Sequence, residues 1–381
     1  MKWFGRKAAP AEARPPLARA WIGPGCSGSG AWPQDYAAQL KAAVTVNPVA
    51  QRALRLVSEA VGSAALSAAA DHAGDARDAL RLVQHRSAGQ GLLETLAAHV
   101  LVHGNGYAQI SHGPDGRPAG LYALRPDRIT IEQDMQGWPV AYRYRAGERL
   151  LRYPGEDAAG RTAVIHVKAL NPADDLLGLG CLCAAAGAVA IHNAATAWNK
   201  ALLDNAARPS GALVYDPKDG SALSSDQFDR LRAELESAFQ GRENAGRPML
   251  LEGGLSWQSM SLSPADMDFV QLKAAAARDI ALAFGVPPVL IGLPGDSTYS
   301  NYREANKALW RQSVLPLADK ILGALAQGLG DFMPGLTLGV DINRVPALVD
   351  DRTLLWEQVG AADFLSAEEK KAMLGIEAAG A

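Results

Sequence analysis

The chain has 381 residues, of which 48% are hydrophobic and 20% charged, and its formal net charge at pH 7 is −3. A chain longer than about 250–300 residues exceeds what one hydrophobic core normally serves, so we expect more than one domain. A slightly acidic chain is not suited to wrap and neutralise a nucleic acid, although it can contact one in passing. The longest uncharged apolar run, residues 176–191, is shorter than the ~20 residues that span a bilayer, so we predict no membrane segment.

We predict that residues 1–44 form a disordered basic arm. The segment is rich in Pro, Gly, Ala and Ser, a composition that buries little apolar surface. Residues 23–28 (GPGCSG) match the letters of a dinucleotide-binding loop, but no strand pattern precedes them and no helical pattern follows. Order is expected to begin at Asn47 and Pro48, where Asn can cap a helix and Pro can occupy its first position.

Residues 45–176 are predicted to form an α+β domain. Apolar residues recur at helical spacing after Pro48, and a second helix is expected at about residues 91–102. The segments that follow are rich in strand-forming residues and are separated by turn residues such as those at 113–116 and 136–137. The expected strands cover residues 107–110, 121–124, 128–133, 140–145 and 163–167.

Two long helices with a small module between them are predicted next. The first lies within residues 177–206, and the second, opened by Ser263 and Pro264, lies within residues 263–285. Between them, residues 207–262 contain a helix that begins at Ser224, because Ser224 and Gln227 have capping-box spacing. Strands are expected at residues 212–215, 248–251 and 255–262, with the last two paired. This order indicates a helical hairpin with a small α/β domain at its tip.

Residues 286–302 form a polar loop that no packing pattern explains. The preceding helix is expected to stop at Gly285, and two prolines, Pro287 and Pro288, stiffen the exit. Bulky and polar side chains follow at residues 296–300 (DSTYS), which is typical of a loop that contacts another molecule. We expect a helix and a strand in residues 303–345 and short helices in residues 346–381.

Polar residues share one side of the second long helix at three- and four-residue spacing: Asp268, Gln271, Arg278 and Asp279. Small residues such as Ala277 and Ala281 lie on another side and permit close helix packing. Two interpretations stay open, a solvated face and a stripe that faces a wet channel. A channel for DNA should carry mixed charge, because each phosphate neutralised by Lys or Arg adds a binding term that would hold the DNA.

No catalytic site, metal site or cofactor is predicted. The dipeptide Gly-Lys does not occur, which excludes a P-loop. His99 and His103 share one helix face, but they lack neighbouring acids, so we interpret them as helix-end histidines. The Asp pairs at 174–175 and 350–351 are expected at the heads of helical stretches. The alternative hypothesis, a metal-dependent nucleic-acid-processing enzyme, depends on scattered acids and the basic arm. A third hypothesis is a scaffold that does not contact DNA.

Seven segments in chain order resemble the portal proteins of tailed phages, in the branch shared by long-tailed phages and gene-transfer-agent particles. They are VAQRALRLVSEA (49–60), GNGYA (104–108), LYALRP (121–126), VIHV (164–167), ALAFGVPPVLIG (281–292), TYSN (298–301) with Glu304, and LSAEEKKAMLG (365–375). Where the family often has Gly-x-Ser-(Pro or Leu) before the first long helix, this chain has GLGCL at 178–182.

The resemblance implies a portal-type α+β subunit of a dodecameric ring at one capsid vertex, through which double-stranded DNA passes. Its parts would be a wing (45–176 and 303–345), two stem helices (177–206 and 263–285), a clip (207–262) and a tunnel loop (286–302). Residues 346–381 would be a crown reduced to helices. The tunnel loop would present Asp296, Ser297, Thr298, Tyr299 and Ser300 to the DNA.

The resemblance also implies partners. The clip would meet the terminase large subunit and later the head-tail adaptor, through Asp226, Asp229, Arg230, Arg232 and Glu234. The major capsid protein would surround the ring. The protein would assemble in the bacterial cytoplasm and reside in the virion or phage-like particle, and no cofactor is implied.

Overall fold

The fold was analysed in a computed structural model that describes residues 17, 32–33, 35–156, 160–204, 211–215, 224–239, 255–259, 269–293 and 299–374. The helices are α1 (Tyr36–Leu40), α2 (Pro48–Ser63), α3 (Ala73–Val83), α4 (Leu92–His103), α5 (Cys181–Asp204), α6 (Ser225–Phe239), α7 (Phe269–Ala283), α8 (Tyr299–Leu309), α9 (Leu315–Leu329), α10 (Val349–Ala361) and α11 (Ala367–Met373). Two π-helical turns lie at Lys41–Thr45 and Trp310–Val314. The mixed helix-and-sheet class predicted from the sequence is confirmed.

The strands form small antiparallel sheets. They are β1 (Leu66–Ala69), β2 (Arg86–Ser87), β3 (Gln90–Gly91), β4 (Asn105–His112), β5 (Pro118–Leu124), β6 (Ile129–Gln133), β7 (Pro139–Ala146), β8 (Arg149–Pro154), β9 (Val164–Lys168), β10 (Gly211–Tyr215), β11 (Leu255–Ser259) and β12 (Thr337–Val340). The two three-stranded sheets have the orders β5-β4-β9 and β6-β7-β8, and β1 pairs with β12. The strand β11 pairs with β10, whereas we had expected its partner at residues 248–251, which lie outside the described residues.

The main core is built from helices α2, α4 and α9 packed with the β5-β4-β9 sheet. Helix α2 begins as the sequence predicts: the Asn47 Oδ1 accepts hydrogen bonds from the Val49 and Ala50 N–H groups at 3.1 and 2.9 Å, and Pro48 occupies the first position. Helix α9 presents its fully buried residues at helical spacing, which places it at the centre: Ile321, Leu322, Leu325 and Leu329. Each such side chain stabilises the fold by about 1.5–3 kcal/mol.

Ordered structure begins earlier than we expected from the sequence. The segment Tyr36–Thr45 is helical, and all of it except Thr45 lies in the stretch 1–44 that we assigned to a disordered arm; Trp32, in the same stretch, is 5% exposed in the main core. The Asp35 carboxylate caps α1 by accepting from the Ala38 N–H at 3.0 Å. The Lys41–Thr45 turn packs against α2 and α5, and Tyr36 contacts His103 at the end of α4. These partners are distant in sequence, so the packing could not be predicted from the local pattern. Residues 1–16, 18–31 and 34 lie outside the described residues.

Helix α5, the predicted first stem helix, is joined to the predicted wing at a close backbone crossing, which we call the stem junction (Gly104, Asn105, Gly178 and Gly180). The Asn105 side chain accepts from the Gly178 N–H at 2.8 Å and donates to the Gly178 carbonyl at 3.2 Å. A Cβ on Gly178 would collide with the Gly104 carbonyl oxygen, and a Cβ on Gly180 would collide with the Val102 carbonyl oxygen. Glycine is therefore required here by close approach.

A second attachment lies further along α5. The Asn47 Nδ2 group is 3.2 Å from His192 Nδ1 and donates to Asn193 Oδ1 at 2.9 Å. Asn193 in turn donates to the Ala42 carbonyl at 2.8 Å. Asn47 and His192 are both buried, so this polar cluster fixes α5 against the start of α2.

One helix of the described part, at Cys181–Ala201, is long and apolar enough to cross a membrane by length and composition alone. This helical stretch of 21 residues is longer than the uncharged apolar run at residues 176–191 on which the sequence prediction was based. Within it, Leu182, Ala185, Ala186 and Val189 are buried in the main core, which also demands apolar residues.

We predict that Gly178→Ala destabilises the subunit by about 3 kcal/mol or more, because the new Cβ would have to displace backbone atoms. Gly323→Ala is the matched control: Gly323 lies on the exposed side of α9 with nothing near its Cβ direction, so this change should stabilise by up to about 1 kcal/mol. Urea unfolding of the two variants measures both effects. Equal stability of the variants would contradict the role of the stem junction.

Candidate functional site

Helix α7, the predicted second stem helix, has one packed side and one exposed side. Helices α5 and α7 pack against each other, and the buried residues of α7 are Ala276, Ala277, Ile280 and Ala281. The polar residues predicted to share a side, Gln271, Arg278 and Asp279, are all exposed. The fourth, Asp268, lies outside the described residues. Gln271, Arg278 and Asp279 therefore lie together on the solvent-accessible side of α7.

The chain leaves α7 through a sharp bend. Gly285 adopts a left-handed conformation with φ +66°, and the Val286 N–H closes the helix on the Ala281 carbonyl at 2.9 Å. The Ser313 hydroxyl donates to the Gly285 carbonyl at 2.5 Å. A 3-10 turn at Pro288–Ile291 follows. These contacts fix the direction in which the predicted tunnel loop begins.

The predicted tunnel-loop residues are only partly described. Tyr299 and Ser300 lie in the first turn of α8 rather than in the loop itself. Asp296, Ser297 and Thr298 lie outside the described residues. The helix was expected from about Asn301, and it begins two residues earlier.

Helix α8 is fastened to α10 by charged side chains. The Lys307 ammonium lies 2.9 Å from an Asp351 carboxylate oxygen and 3.4 Å from Glu304, and Arg311 reaches the other Asp351 oxygen at 2.7 Å. The hydrogen bond from Lys307 is the main reason that the pKa of Asp351 lies below its ordinary value. Asp350 and Asp351 occupy the first turn of α10, as the sequence predicts, but they also bind the helix that follows the tunnel loop.

Helix α6, which lies in the predicted clip, begins with the predicted capping box. The Gln227 N–H donates to Ser224 Oγ at 3.3 Å, and the Ser224 N–H donates to Gln227 Oε1 at 3.0 Å. The candidate docking residues that are exposed on α6 are Asp226, Asp229, Arg230 and Arg232. Glu234 lies on the same helix. Phe228 is 58% exposed among these charges.

Asn105 also links two histidines beside the stem junction. The His166 Nε2 group is 3.0 Å from Asn105 Oδ1, and Asn105 Nδ2 is 3.2 Å from His103 Nδ1. Since Asn105 Nδ2 can only donate, His103 Nδ1 must accept and therefore be unprotonated. Burial is the main cause that lowers the pKa of His166 to about 3, and burial likewise lowers the pKa of His103. The cluster is neutral in the folded protein.

The histidines and acids do not assemble a metal site in the described ranges, where no group of three or more potential His, Cys, Asp or Glu ligands occurs. His103 is the last residue of α4. Asp174 uses one carboxylate oxygen to accept from the Leu176 and Leu177 N–H groups at 2.7 and 2.9 Å. It therefore stabilises a turn that precedes α5 and not, as expected, the head of the helix itself.

We expect acid to weaken the fold at the stem junction, and His166→Gln to reduce that effect. The unfolded chain binds protons below about pH 6.5, but the folded His166 stays neutral down to about pH 3. Its contribution to stability is therefore complete above pH 6.5 and is lost as the pH falls through this window, by up to about 1.4 kcal/mol per pH unit. A glutamine retains an N–H donor for Asn105 without titrating.

Urea unfolding between pH 7 and 4 measures this slope. The variant should lose some stability at pH 7, because His166 stacks on Tyr107 with ring centroids 4.4 Å apart, but its pH slope should be shallower than that of the natural chain. His72→Gln, a change at an exposed position, is the control and should leave the slope unchanged. An unaltered slope in His166→Gln would contradict the assignment.

The chain thus has a mixed helix-and-sheet body and two long helices, α5 and α7, and the chain between them contains α6 and the paired strands β10 and β11. Residues 48–375 match the family model described as phage portal protein, so the chain belongs to the phage portal protein family. The resemblance noted in the sequence is thereby confirmed, and the family is a structural one.

Known relatives agree over most of the chain. An uncharacterized protein of Rickettsia bellii is 38% identical and covers 87% of this chain and 86% of its own length. The probable portal protein of Streptomyces phage phiC31 is 26% identical over 70% of this chain and 60% of its own length. A chain in the neck of a native gene transfer agent (GTA) particle, computed with C12 symmetry, is 45% identical, with a TM-score of 0.69 over 92% of this chain and 96% of that chain.

Two sets of contacts at this site could not be predicted from the sequence. Asn105 and Gly178 are 73 positions apart, and Lys307 and Asp351 are 44 positions apart. The only local signals were Asn105 between two glycines and the Asp pair at 350–351, and each had a simpler explanation as a turn or a helix start.

Proposed function

We propose that this chain is the portal subunit of a phage-like particle of the gene-transfer-agent type. In this proposal twelve copies form a ring at one capsid vertex, and double-stranded DNA passes through the ring during packaging and ejection. The observation that carries the proposal is the 45% identity to a chain in the C12 neck of a GTA particle. Because 92% of this chain and 96% of that one are covered, the likeness extends to the whole subunit and is not limited to one domain.

In this assignment residues 45–176 and 303–345 are the wing, 177–206 and 263–285 the stem, 207–262 the clip, 286–302 the tunnel loop, and 346–381 a reduced crown. The described helices support these divisions, since α5 and α7 lie within the two stem ranges and α6 within the clip. The N-terminal arm, 1–44, has no role in the proposal. The helix α8 then continues directly from the tunnel loop into the wing.

The exposed side of α7 is proposed to face the channel. It presents Gln271, Arg278 and Asp279, one neutral and two oppositely charged residues, with Asp268 at the same spacing. Such a surface contacts DNA without the strong phosphate neutralisation that would arrest it. The buried alanines on the other side allow α5 to approach closely.

The particle context suggests protein partners as well. We assign docking of the terminase large subunit, and later of the head-tail adaptor, to the clip helix α6, because its charged residues and Phe228 are exposed together. The major capsid protein is assigned to the wing side of the ring. No catalysis is included: in the described part of the chain the Asp174 carboxylate already caps backbone groups, and the nuclease alternative has no assembled acidic site to support it.

Assembly is the first expected outcome. The purified chain should form rings in negative-stain electron microscopy, with a mass in mass photometry that corresponds to twelve copies. Ionic strength and protein concentration should be varied, because salt screens the charges between subunits and association increases with concentration. A chain that stays monomeric under every condition would contradict the proposed function.

Replacing residues 296–299 by Gly and Ser should leave ring assembly intact and impair DNA packaging or retention, because the proposed contacts with DNA are removed while the wing contacts stay. Particle titre and DNA content per particle measure the effect. The matched control is Glu148→Ser in the exposed β7–β8 turn, which should change neither. Normal DNA content in the loop variant would count against a tunnel-loop role.

Charge reversal on the clip, with Asp229→Lys and Arg230→Glu together, should weaken docking of the terminase or the adaptor and preserve the wing fold. Both residues are exposed on α6, so no buried contact is lost. The control Arg77→Glu reverses an exposed charge on α3 of the wing. Docking affinity measured by biolayer interferometry should fall only for the clip variant, and an unchanged affinity would exclude α6 as the docking surface.

A further inference from the structure

Helix α5 carries an apolar stripe on the side that faces away from the main core. Its members recur at alternating three- and four-residue spacing and are Ala184, Gly187, Ile191, Ala194 and Trp198. Ile191, a large aliphatic side chain, is 45% exposed. No Asp, Glu, Lys or Arg occurs between Cys181 and Asn199, whereas the outer side of a helix in water normally carries charges. The stripe is the kind of surface that a second helix covers.

Helix α7 also exposes large apolar side chains. Leu272 and Leu282 are 44% and 77% exposed, and Ala275 is exposed on the same side of the helix. The proposed channel role of α7 makes use of the polar residues on this side and leaves the two leucines unexplained. Exposed apolar residues that are grouped on two adjacent helices, and not scattered singly, mark a surface for contact with protein.

The relative height of α5 and α7 follows from their contacts. Leu182 near the start of α5 and Phe284 just after the end of α7 both lie in the main core, so the two helices run antiparallel. Burial is the main cause that lowers the pKa of His192, and the charge of Lys273 lowers it further, so His192 and Lys273 lie at about the same height.

Counting from His192 and Lys273 in opposite directions along the two helices gives the residues that lie level with one another. To within one position they are Ile191 with Ala275, Ala184 with Leu282, and Ala194 with Leu272. Each level therefore combines one large and one small side chain. This alternation lets side chains of one helix fill the spaces on the other when the two faces meet.

A ring brings these two faces of different copies together. Cyclic symmetry requires two different surfaces on each subunit, one for each neighbour. Rotation about the ring axis leaves every residue at its own height, so in a stem that lies along the channel α7 of a neighbouring copy is level with α5. The 45% identical chain in the C12 neck supports a second copy as the occupant. A bilayer is disfavoured, because the opposite side of α5 is packed in the main core.

We propose that the apolar stripe of α5 packs against the exposed side of α7 in the neighbouring copy and joins the subunits at the stem. This inference rests on the proposed function and deepens it by naming the two surfaces that meet. Leu282 of the neighbouring copy lies over Ala184, and its Leu272 lies over Ala194. Ile191 in turn lies over Ala275 of that copy.

The charged residues of α7 are compatible with this contact. Asp279 is level, to within one position, with Gly187, and the missing side chain of Gly187 leaves room for the carboxylate. Gln271 and Arg278 lie toward one edge of the exposed side, as polar residues do around an apolar interface. They stay accessible to the channel.

Disulfide cross-linking tests the pairing. The three natural cysteines are replaced by alanine, and Ile191→Cys is combined with Ala275→Cys in the full chain, assembled into rings. Mild oxidation with copper phenanthroline joins two such thiols only when their Cα atoms lie within about 7 Å. Each copy offers the two positions to different neighbours, so a non-reducing gel should show a ladder of linked species that reaches twelve copies. A bond inside one chain would leave the monomer band.

Two further cysteine pairs test the register. Ala184→Cys with Ala275→Cys is displaced by seven residues, about 10 Å along α5, and should link no more than the single variants. Ala184→Cys with Leu282→Cys restores a level pair and should produce the ladder again.

A charge placed in the stripe is an independent measurement. Ile191→Asp should abolish rings in electron microscopy while circular dichroism stays that of the natural chain, because this side chain is 45% exposed in the single subunit. Met135→Asp is the matched control: Met135 is fully exposed in the β6–β7 turn, and rings should form normally.

Three outcomes overturn the proposal. They are level pairs that do not link in samples that contain rings, a displaced pair that links as strongly as the level pairs, and rings that form unchanged with Ile191→Asp. Absence of rings in the natural chain would instead overturn the proposed function itself, so the two failures are distinguishable.

Discussion

The position of α5, the proposed first stem helix, depends on one polar contact, the pairing of the Asn105 side chain with both backbone groups of Gly178. An amide side chain offers an acceptor and a donor, so it can satisfy an N–H and a carbonyl that would otherwise be lost to water at a buried crossing. The crossing must be close, which is why three glycines surround it. Asn105 is 1% exposed, so the contact forms where competition from water is weakest.

The contacts of Asn47 with His192 and Asn193 hold α5 at a second point along its length. From Cys181 to His192 the helix α5 rises about 16 Å at 1.5 Å per residue. The contact between Asn105 and Gly178 lies just before Cys181, and the contact between Asn47 and His192 lies at the other end of this span. A helix that is fixed at two points along its length tilts less than a helix that is fixed only at one end. Since Asn47 also caps α2, the same residue that begins α2 contacts α5 and holds the two helices together.

Local signals gave reliable predictions, and contacts between distant segments could not be predicted. The caps at Asn47 and Ser224 could be predicted because each depends on residues within four positions of one another. The side of α7 that is exposed followed from its spacing alone. By contrast, the partner of Asn105 and the acceptor of Lys307 are set by how separate segments meet, which leaves no trace in local periodicity. The early helices at Tyr36–Thr45 were missed for the same reason.

The π-helical turn at Trp310–Val314 joins α8 to α9 and lets the two helices face different neighbours, α10 on one side and the main core on the other. Its closing hydrogen bond runs from the Leu315 N–H to the Trp310 carbonyl, five residues back, so the turn holds one residue more than an α-helical turn. One residue corresponds to about 100° of rotation. The offset brings Lys307 and Arg311 to face α10 while Ile321 and Leu325 keep facing the core. Deleting a single residue there would leave both halves helical and turn one set of contacts away from its partner.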